Sequence, residues 1–148
     1  MTHALLRWPA GDLAWAWFMA TAFSGLPSTL YALLTGSDPM EATRAAGAML
    51  LPAATFFWTL FGAAAVAHGG VSLFWTLVFA VLLPRRHALP GAVAGAALVA
   101  LLDLRLIAPL AFPSVATLAF WPQFADHLAW GALLGGTLGW RQGRRAVD

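Results

Sequence analysis

Five runs of apolar residues fill most of this chain of 148 residues, and they restrict what it can fold into. The hydrophobic share is 61% and the charged share only 9%, whereas a soluble domain averages about 25% charged residues. A soluble fold of this size could not cover so much apolar surface with so few polar side chains. The sequence therefore predicts an integral membrane protein and excludes a soluble enzyme, a disordered chain and a disulfide-stapled secreted module.

The predicted fold class is all-α, a polytopic helical bundle forming a single transmembrane domain over residues 1–148. A bilayer core about 30 Å thick needs roughly 20 helical residues. The five runs that approach this length cover 13–34, 45–67, 71–83, 88–107 and 124–140. The third is short, about 20 Å as a helix. The Gly25-Leu26-Pro27 group predicts a kink or a break in the first run.

The arginines predict the orientation. With five crossings, one side of the membrane carries Arg44, Arg85, Arg86, Arg141, Arg144 and Arg145. Arg7 stays alone on the other side, and arginine accumulates on the cytoplasmic side of membranes. We therefore expect an outside N-terminus and a cytoplasmic C-terminus. The segment that follows Arg7 also resembles a signal peptide, but Asp12 and bulky aromatic residues favour an uncleaved first span.

Small residues recur every four positions in the last two runs. Gly131, Gly135 and Gly139 form such a series in the fifth run, and Gly91 and Gly95 form one in the fourth. This glycine-zipper spacing makes a flat helix face on which a neighbouring backbone packs closely. The neighbour belongs either to this chain or to a partner, so we expect a homo-oligomer or another membrane subunit beside the lipid bilayer. The net charge of +2 is too small to indicate nucleic-acid binding.

Threading the five runs alternately through the membrane gathers ionisable residues at the outer end. They are His68, in a turn between the second and third runs, Asp103, Arg105, Asp126 and His127, with Asp12 at the start of the first run. Charges at membrane depth face the bundle interior and have partners. We expect Arg105 to pair with Asp126, and Asp103 with His127 or His68. Three interpretations stay open: structural ion pairs, a permeation or proton-relay site, and a metal or haem site.

Catalytic and cofactor motifs were not found in the sequence. The chain has no cysteine and no two histidines at i, i+4 spacing, which disfavours a metal site. A serine-hydrolase elbow, a zinc-protease histidine motif and a phosphate-binding glycine loop are also missing. His68 and Ser72 lie one turn apart, but a serine in a membrane helix more often bonds a backbone carbonyl or a neighbouring helix. We therefore expect a non-enzymatic protein without cofactor or metal.

Part of the chain resembles a known family. His68-x3-Ser72 opens a short run, the glycine pair follows, and Leu106-Ile107-Ala108-Pro109 closes the next run before Asp126-His127-Leu128-Ala129-Trp130-Gly131. This order is similar to that of the YagU-like family of small bacterial inner-membrane proteins, over about residues 68–131. The chain departs from the family at Leu104, near an expected histidine, and at Asp126, in place of a glycine. The resemblance implies a bacterial inner membrane and a non-enzymatic role.

Two functions are consistent with these features. The first is an accessory or assembly subunit of a membrane complex, for which the glycine faces would be docking surfaces. The alternative is a small oligomeric transporter or proton-responsive channel, with the outer polar cluster as its site. A broken first helix at Gly25 favours this alternative, because the ends of half-helices often line substrate sites.

Overall fold

The computed structural model describes residues 8–145, and this part of the chain is all-α, without strands. Its helices are α1 (Ala10–Phe23), α2 (Leu26–Thr35), α3 (Glu41–Gly47), α4 (Phe57–Leu82), α5 (Ala88–Leu102), α6 (Ala108–Ala111), α7 (Pro113–Ala116) and α8 (Phe120–Arg145). A 3₁₀ turn (Arg85–His87) precedes α5, and a π-helical segment (Asp103–Ile107) joins α5 to α6. The predicted all-α fold is confirmed.

The second and third predicted runs are not separate spans, and five spans are not confirmed. α4 is one helix of 26 residues that passes through Gly69 and Gly70, where a turn was predicted. A glycine in a helix costs about 1 kcal/mol relative to alanine. Breaking the helix in apolar surroundings costs more, because backbone groups would lose their partners. Most of residues 48–56, assigned to the second run, form turns before α4.

The break predicted in the first run is present. α1 ends at Phe23 and α2 begins at Leu26. Pro27 lies in the first turn of α2, where its missing N–H costs nothing. The N–H of Thr29 donates to the carbonyl of Gly25 at 3.1 Å, so that α2 starts a new hydrogen-bond series. The predicted run at 13–34 is therefore two helices.

Four long segments alternate in direction: α1 with α2, α4, α5 through α6, and α8. Asp12 at the start of α1 contacts Arg141 near the end of α8, whereas Ser28 of α2 contacts Asp126 near the start of α8. α8 lies centrally, since it packs against α1, α2 and α5. We call the end with the start of α1, residues 83–87 and the end of α8 the arginine end. The opposite end, with residues 36–56 and 112–119, is the loop end.

Two of the predicted packing glycines lie in a tight seam between α8 and α5. A Cβ placed on Gly131 would lie 2.6 Å from the carbonyl oxygen of Ala92. A Cβ on Gly135 would lie 2.5 Å from the carbonyl oxygen of Ala88. Side chains at these positions would collide with backbone, which cannot move aside as a flexible side chain can. The two helices therefore approach this closely only with glycine at both positions.

The other predicted glycines differ from one another. Gly91 and Gly95 of α5 face α4 and the residue that follows it: an added Cβ on Gly91 would lie 2.8 Å from Leu83, and one on Gly95 would lie 2.7 Å from Phe79 of α4. Gly139 has open space around it and takes part in no seam. Four of the five glycines are thus in contact with this chain's own helices.

Two segments among the described residues are long and apolar enough to cross a membrane, Phe57–Leu82 and Arg85–Ala111. Their apolar side chains point largely outward: Val66 and Leu98 are each 69% exposed, and Phe74 is 58% exposed. A core helix of a soluble protein buries such residues. The outer surface of these two segments is therefore suited to lipid rather than water.

Candidate functional site

A cavity of about 420 Å³ lies in the half of the bundle nearer the loop end. Its walls come from α1, α2, α3, α4 and α8, with Val99 of α5 and Asp103 of the π-helical segment. The break between α1 and α2 borders it, because Ser24, Gly25 and Ser28 all line it. A cavity of this volume is large enough for a small ligand.

Four of the five predicted site residues line this cavity: His68, Asp103, Asp126 and His127. They come from α4, the π-helical segment and α8, so the tertiary structure collects them from distant parts of the sequence. His68 lies inside α4 rather than in the turn where it was predicted. Arg105 does not line the cavity.

Asp103 and His127 form the ion pair of the site. The Nε2 atom of His127 lies 3.4 Å from Oδ2 of Asp103, and both side chains are largely buried. The Nδ1 atom of His127 lies 2.8 Å from the carbonyl oxygen of Gln123. A carbonyl only accepts, so Nδ1 carries hydrogen. The contact with Asp103 is then a hydrogen bond only when a second proton resides on Nε2 or on the carboxyl group. The pair is therefore a place where one exchangeable proton is held.

The predicted pair between Arg105 and Asp126 is absent. The Arg105 guanidinium lies over the ring of Phe120, 4.2 Å from its centroid, which is a cation–π contact. Both Asp103 and Arg105 belong to the π-helical segment, closed by the bond from the N–H of Ala108 to the carbonyl of Asp103. π-helical turns occur mostly within α-helices and often at functional sites. Here the segment contributes Asp103 to the cavity, while Arg105 packs on an aromatic ring.

Asp126 holds the start of α2 instead. Its Oδ1 accepts the backbone N–H of Ser28 at 2.9 Å. The first N–H groups of a helix have no partner within it, and a carboxylate is stabilised by the helix dipole there. The run predicted at 124–140 would put Asp126 in the first turn of its own helix, but α8 begins earlier, at Phe120. Its contact across the bundle therefore depends on the break in the first run, which creates a helix start inside the bundle.

Hydroxyl groups that line the same cavity were not among the predicted site residues. Ser72 accepts the indole N–H of Trp130 at 2.8 Å and lies 2.7 Å from the hydroxyl of Thr21. His68 contacts α1 instead of Ser72: its Nε2 lies 3.2 Å from the carbonyl of Thr21 and 3.4 Å from the hydroxyl of Ser24. The one-turn spacing of His68 and Ser72 therefore does not make a nucleophile and base. Both residues bind α1 to α4.

A second polar cluster lies at the arginine end, where Asp12 was not expected. Asp12 is 2% exposed, and its Oδ1 accepts from Arg141 at 2.5 Å and from Arg145 at 3.0 Å. We placed Asp12 with the outer cluster, which is wrong. The error came from the number of crossings, because removing one reverses every element before it relative to those after it.

The described part of the chain contains no set of ligands arranged to bind a metal ion. No group of three or more histidine, aspartate or glutamate side chains there is placed to hold a metal ion. The cavity is instead lined by two carboxylates, two imidazoles, hydroxyl groups and the aromatic residues Phe61, Trp75 and Trp130.

Comparison with models of protein families, with curated proteins and with solved structures finds no match for this chain. The resemblance to the YagU-like family stays a prediction from the motifs at residues 68–131. The site is therefore interpreted through its own geometry.

Proposed function

We propose that this chain is a multi-pass membrane protein with four crossings, made by α1 with α2, α4, α5 through α6, and α8. The outward apolar side chains of the segments Phe57–Leu82 and Arg85–Ala111 support this proposal. Four crossings replace the five predicted from sequence, because residues 57–82 form one helix. An even number of crossings puts both ends of the described chain on the same side.

The arginine end is the cytoplasmic side in this proposal. It carries Arg85, Arg86, Arg141, Arg144 and Arg145, whereas Arg44 and Arg105 belong to the loop-end half. Arginine accumulates on the cytoplasmic side, so α1 starts in the cytoplasm, contrary to the outside N-terminus predicted for five crossings. Arg7, used in that prediction, lies outside the described residues. The cavity then lies in the outer half of a membrane, which by family resemblance is a bacterial inner membrane.

For function, we propose a small proton-coupled transporter whose binding and relay site is the cavity. The observation that carries this proposal is the meeting of the Asp103–His127 pair, Asp126 and the break between α1 and α2 in one cavity. Ionisable groups are expensive at membrane depth and mark ion and proton paths. Broken helices place polar backbone at substrate sites in transporters. An ion pair with a purely structural role would not need a cavity of about 420 Å³ beside it.

The glycine faces proposed as docking surfaces for an accessory subunit are largely occupied by this chain itself. These faces were the predicted glycine series, and Gly91, Gly95, Gly131 and Gly135 are in contact with helices of this chain. The transporter alternative gains the cavity and the helix break, so it is the function we favour.

Proton flux into liposomes tests the proposal. Full-length protein is reconstituted, and an enclosed pH-sensitive dye records proton entry under a pH gradient, with potassium and valinomycin clamping the voltage. We expect flux above that of empty liposomes, and a decrease of about tenfold or more in Asp103→Asn, which removes one partner of the proton-holding pair. Asp38→Asn is the matched control, because Asp38 makes its ion pair with Arg44 outside the cavity.

Flux equal to that of empty liposomes, both without added solute and with choline enclosed as an exchangeable cation, would contradict the proposed function. Equal decreases in Asp103→Asn and Asp38→Asn would contradict the assignment of the cavity as the path.

A further inference from the structure

We propose that the cavity binds a small organic cation in exchange for the proton held between Asp103 and His127. This inference rests on the proposed transporter function and names its substrate class. It concerns the same cavity, but it can fail while the proton flux persists.

The charge of the cavity selects a cation. Its ionisable lining groups are the carboxyl groups of Asp103 and Asp126 and the imidazoles of His68 and His127. None of the arginines among residues 8–145 lines the cavity, and the chain has no lysine. An anion would therefore meet two carboxylates and no permanent positive charge, which disfavours its entry in a low-dielectric site.

The remaining walls select an organic cation rather than a metal ion. Phe61, Trp75 and Trp130 contribute aromatic surface to the cavity. Aromatic rings attract alkylated ammonium groups, which carry their charge beneath apolar carbon. A bare divalent ion instead needs several oxygen or nitrogen ligands, and no such set of side chains occurs in the described part of the chain.

The geometry of His127 links cation binding to proton release. Its Nδ1–H is committed to the carbonyl of Gln123, so the proton that leaves is the one between Nε2 and Oδ2 of Asp103. The other titratable groups lining the cavity around it are Asp126 of α8 and His68 of α4. The walls from α1, α2 and α3 contribute uncharged residues.

The cavity has the same net charge whether it holds the proton or the cation. With the proton present and His68 neutral, the pair has no net charge and Asp126 gives the cavity one negative charge. With the cation bound, the proton has gone to solvent, and two carboxylates and one cation again leave one negative charge. A cation bound against the Asp103 carboxylate would lie beside the protonated imidazole of His127, 3.4 Å from the same carboxylate, and the repulsion between the two like charges favours loss of the proton. One cation is therefore exchanged for one proton.

The test uses choline as the cationic probe, with full-length protein purified in detergent. 3,3-Dimethylbutan-1-ol is the matched neutral control, because it has nearly the same shape with carbon in place of the charged nitrogen, and 3,3-dimethylbutanoate is the anionic control. Calorimetry measures binding, and a pH dye in weakly buffered solution measures proton release. We expect choline to bind at least about tenfold more tightly than either control and to release about one proton per choline bound.

Two further expectations connect the binding to named residues. At acidic pH, where most of the protein holds the exchangeable proton, each further unit of decrease in pH weakens choline binding by about tenfold, because proton and cation compete. Asp103→Asn abolishes proton release, and Asp126→Asn weakens choline binding, whereas the Asp38→Asn control behaves as wild type. The proton release of the wild-type protein is independent of whether any variant folds.

Each contrary outcome has a separate meaning. Equal binding of choline and its neutral analogue, or preferred binding of the anion, would overturn the substrate class. Choline binding without proton release would overturn the exchange. If no probe binds while reconstituted protein still conducts protons, the inference fails and the proposed function stands. If the proton flux is absent as well, both fail.

Discussion

Each of the two polar regions of this bundle contains an aspartate with a basic partner, but the burial of the aspartate and the type of partner differ. At the arginine end, the Asp12 side chain is 3% exposed and accepts from two arginines at 2.5 and 3.0 Å. In the cavity, the Asp103 side chain is 22% exposed, and its partner is a histidine at 3.4 Å. Arginine does not lose its proton in proteins, whereas histidine does so readily. The first pair is therefore a permanent clamp, and the second is suited to gain and lose a proton.

The same difference appears in the packing around the two regions. The arginine end is closed by contacts between the start of α1 and the end of α8, while the cavity borders the broken connection between α1 and α2. In the proposed orientation, the cavity lies toward the outside and the Asp12 clamp lies between it and the cytoplasm. Three predictions test this division of roles, beginning with the largest effect.

Labelling across the membrane gives an all-or-none result. The chain has no cysteine, so single cysteines introduced as Ser37→Cys at the loop end and Gln142→Cys at the arginine end are the only thiols. In intact cells, we expect a membrane-impermeant maleimide to label Ser37→Cys completely and Gln142→Cys only after lysis, because the proposed crossings put the two ends on opposite sides. Labelling of both positions from the same side would contradict the proposed crossings, and the reverse pattern would contradict the orientation.

Loss of the clamp should reduce stability more than loss of the cavity pair. We expect Asp12→Asn to lower the free energy of unfolding by about 3 kcal/mol, since it leaves Arg141 without its buried partner. Asp103→Asn should lower it by less than about 1 kcal/mol, because its side chain is more exposed and its contact is longer. Denaturant unfolding followed by tryptophan fluorescence measures both. Equal losses would remove the distinction between the two regions.

Substitutions of two glycines of α8, one inside the seam with α5 and one outside it, give the smallest effects, and the two effects have opposite signs. Gly135→Ala should destabilise by about 1–2 kcal/mol, because its Cβ would overlap the carbonyl of Ala88. Gly139→Ala should stabilise by up to about 1 kcal/mol, because alanine is the better helix former and open space surrounds this position. Thermal unfolding of the two variants in the same detergent makes the comparison. A Gly135→Ala variant more stable than wild type would exclude the close seam.

The sequence by itself determines those features of the protein that depend on composition or on a few neighbouring residues. The shortage of charged residues determines the apolar outer surface, because few polar side chains are present to cover it. Gly25 and Pro27 determine the helix break, since proline lacks an N–H and glycine has little preference for a helix. The ionisable residues of the cavity were also recognisable, because charges at membrane depth seek the bundle interior.

The tertiary structure alone decided the continuity of α4 and the partners of the charged groups. Gly69 and Gly70 are weak helix residues, and only their surroundings determine whether the helix continues through them. Because α4 continues through both glycines, the proposed number of crossings changes from odd to even. Asp12 therefore lies at the arginine end and not at the end with the cavity. Asp126 accepts a hydrogen bond from the start of α2 and does not pair with Arg105, because α2 lies beside α8 at this position. The partner of a charge depends on which segments lie side by side, and neither sequence spacing nor local propensity contains that information.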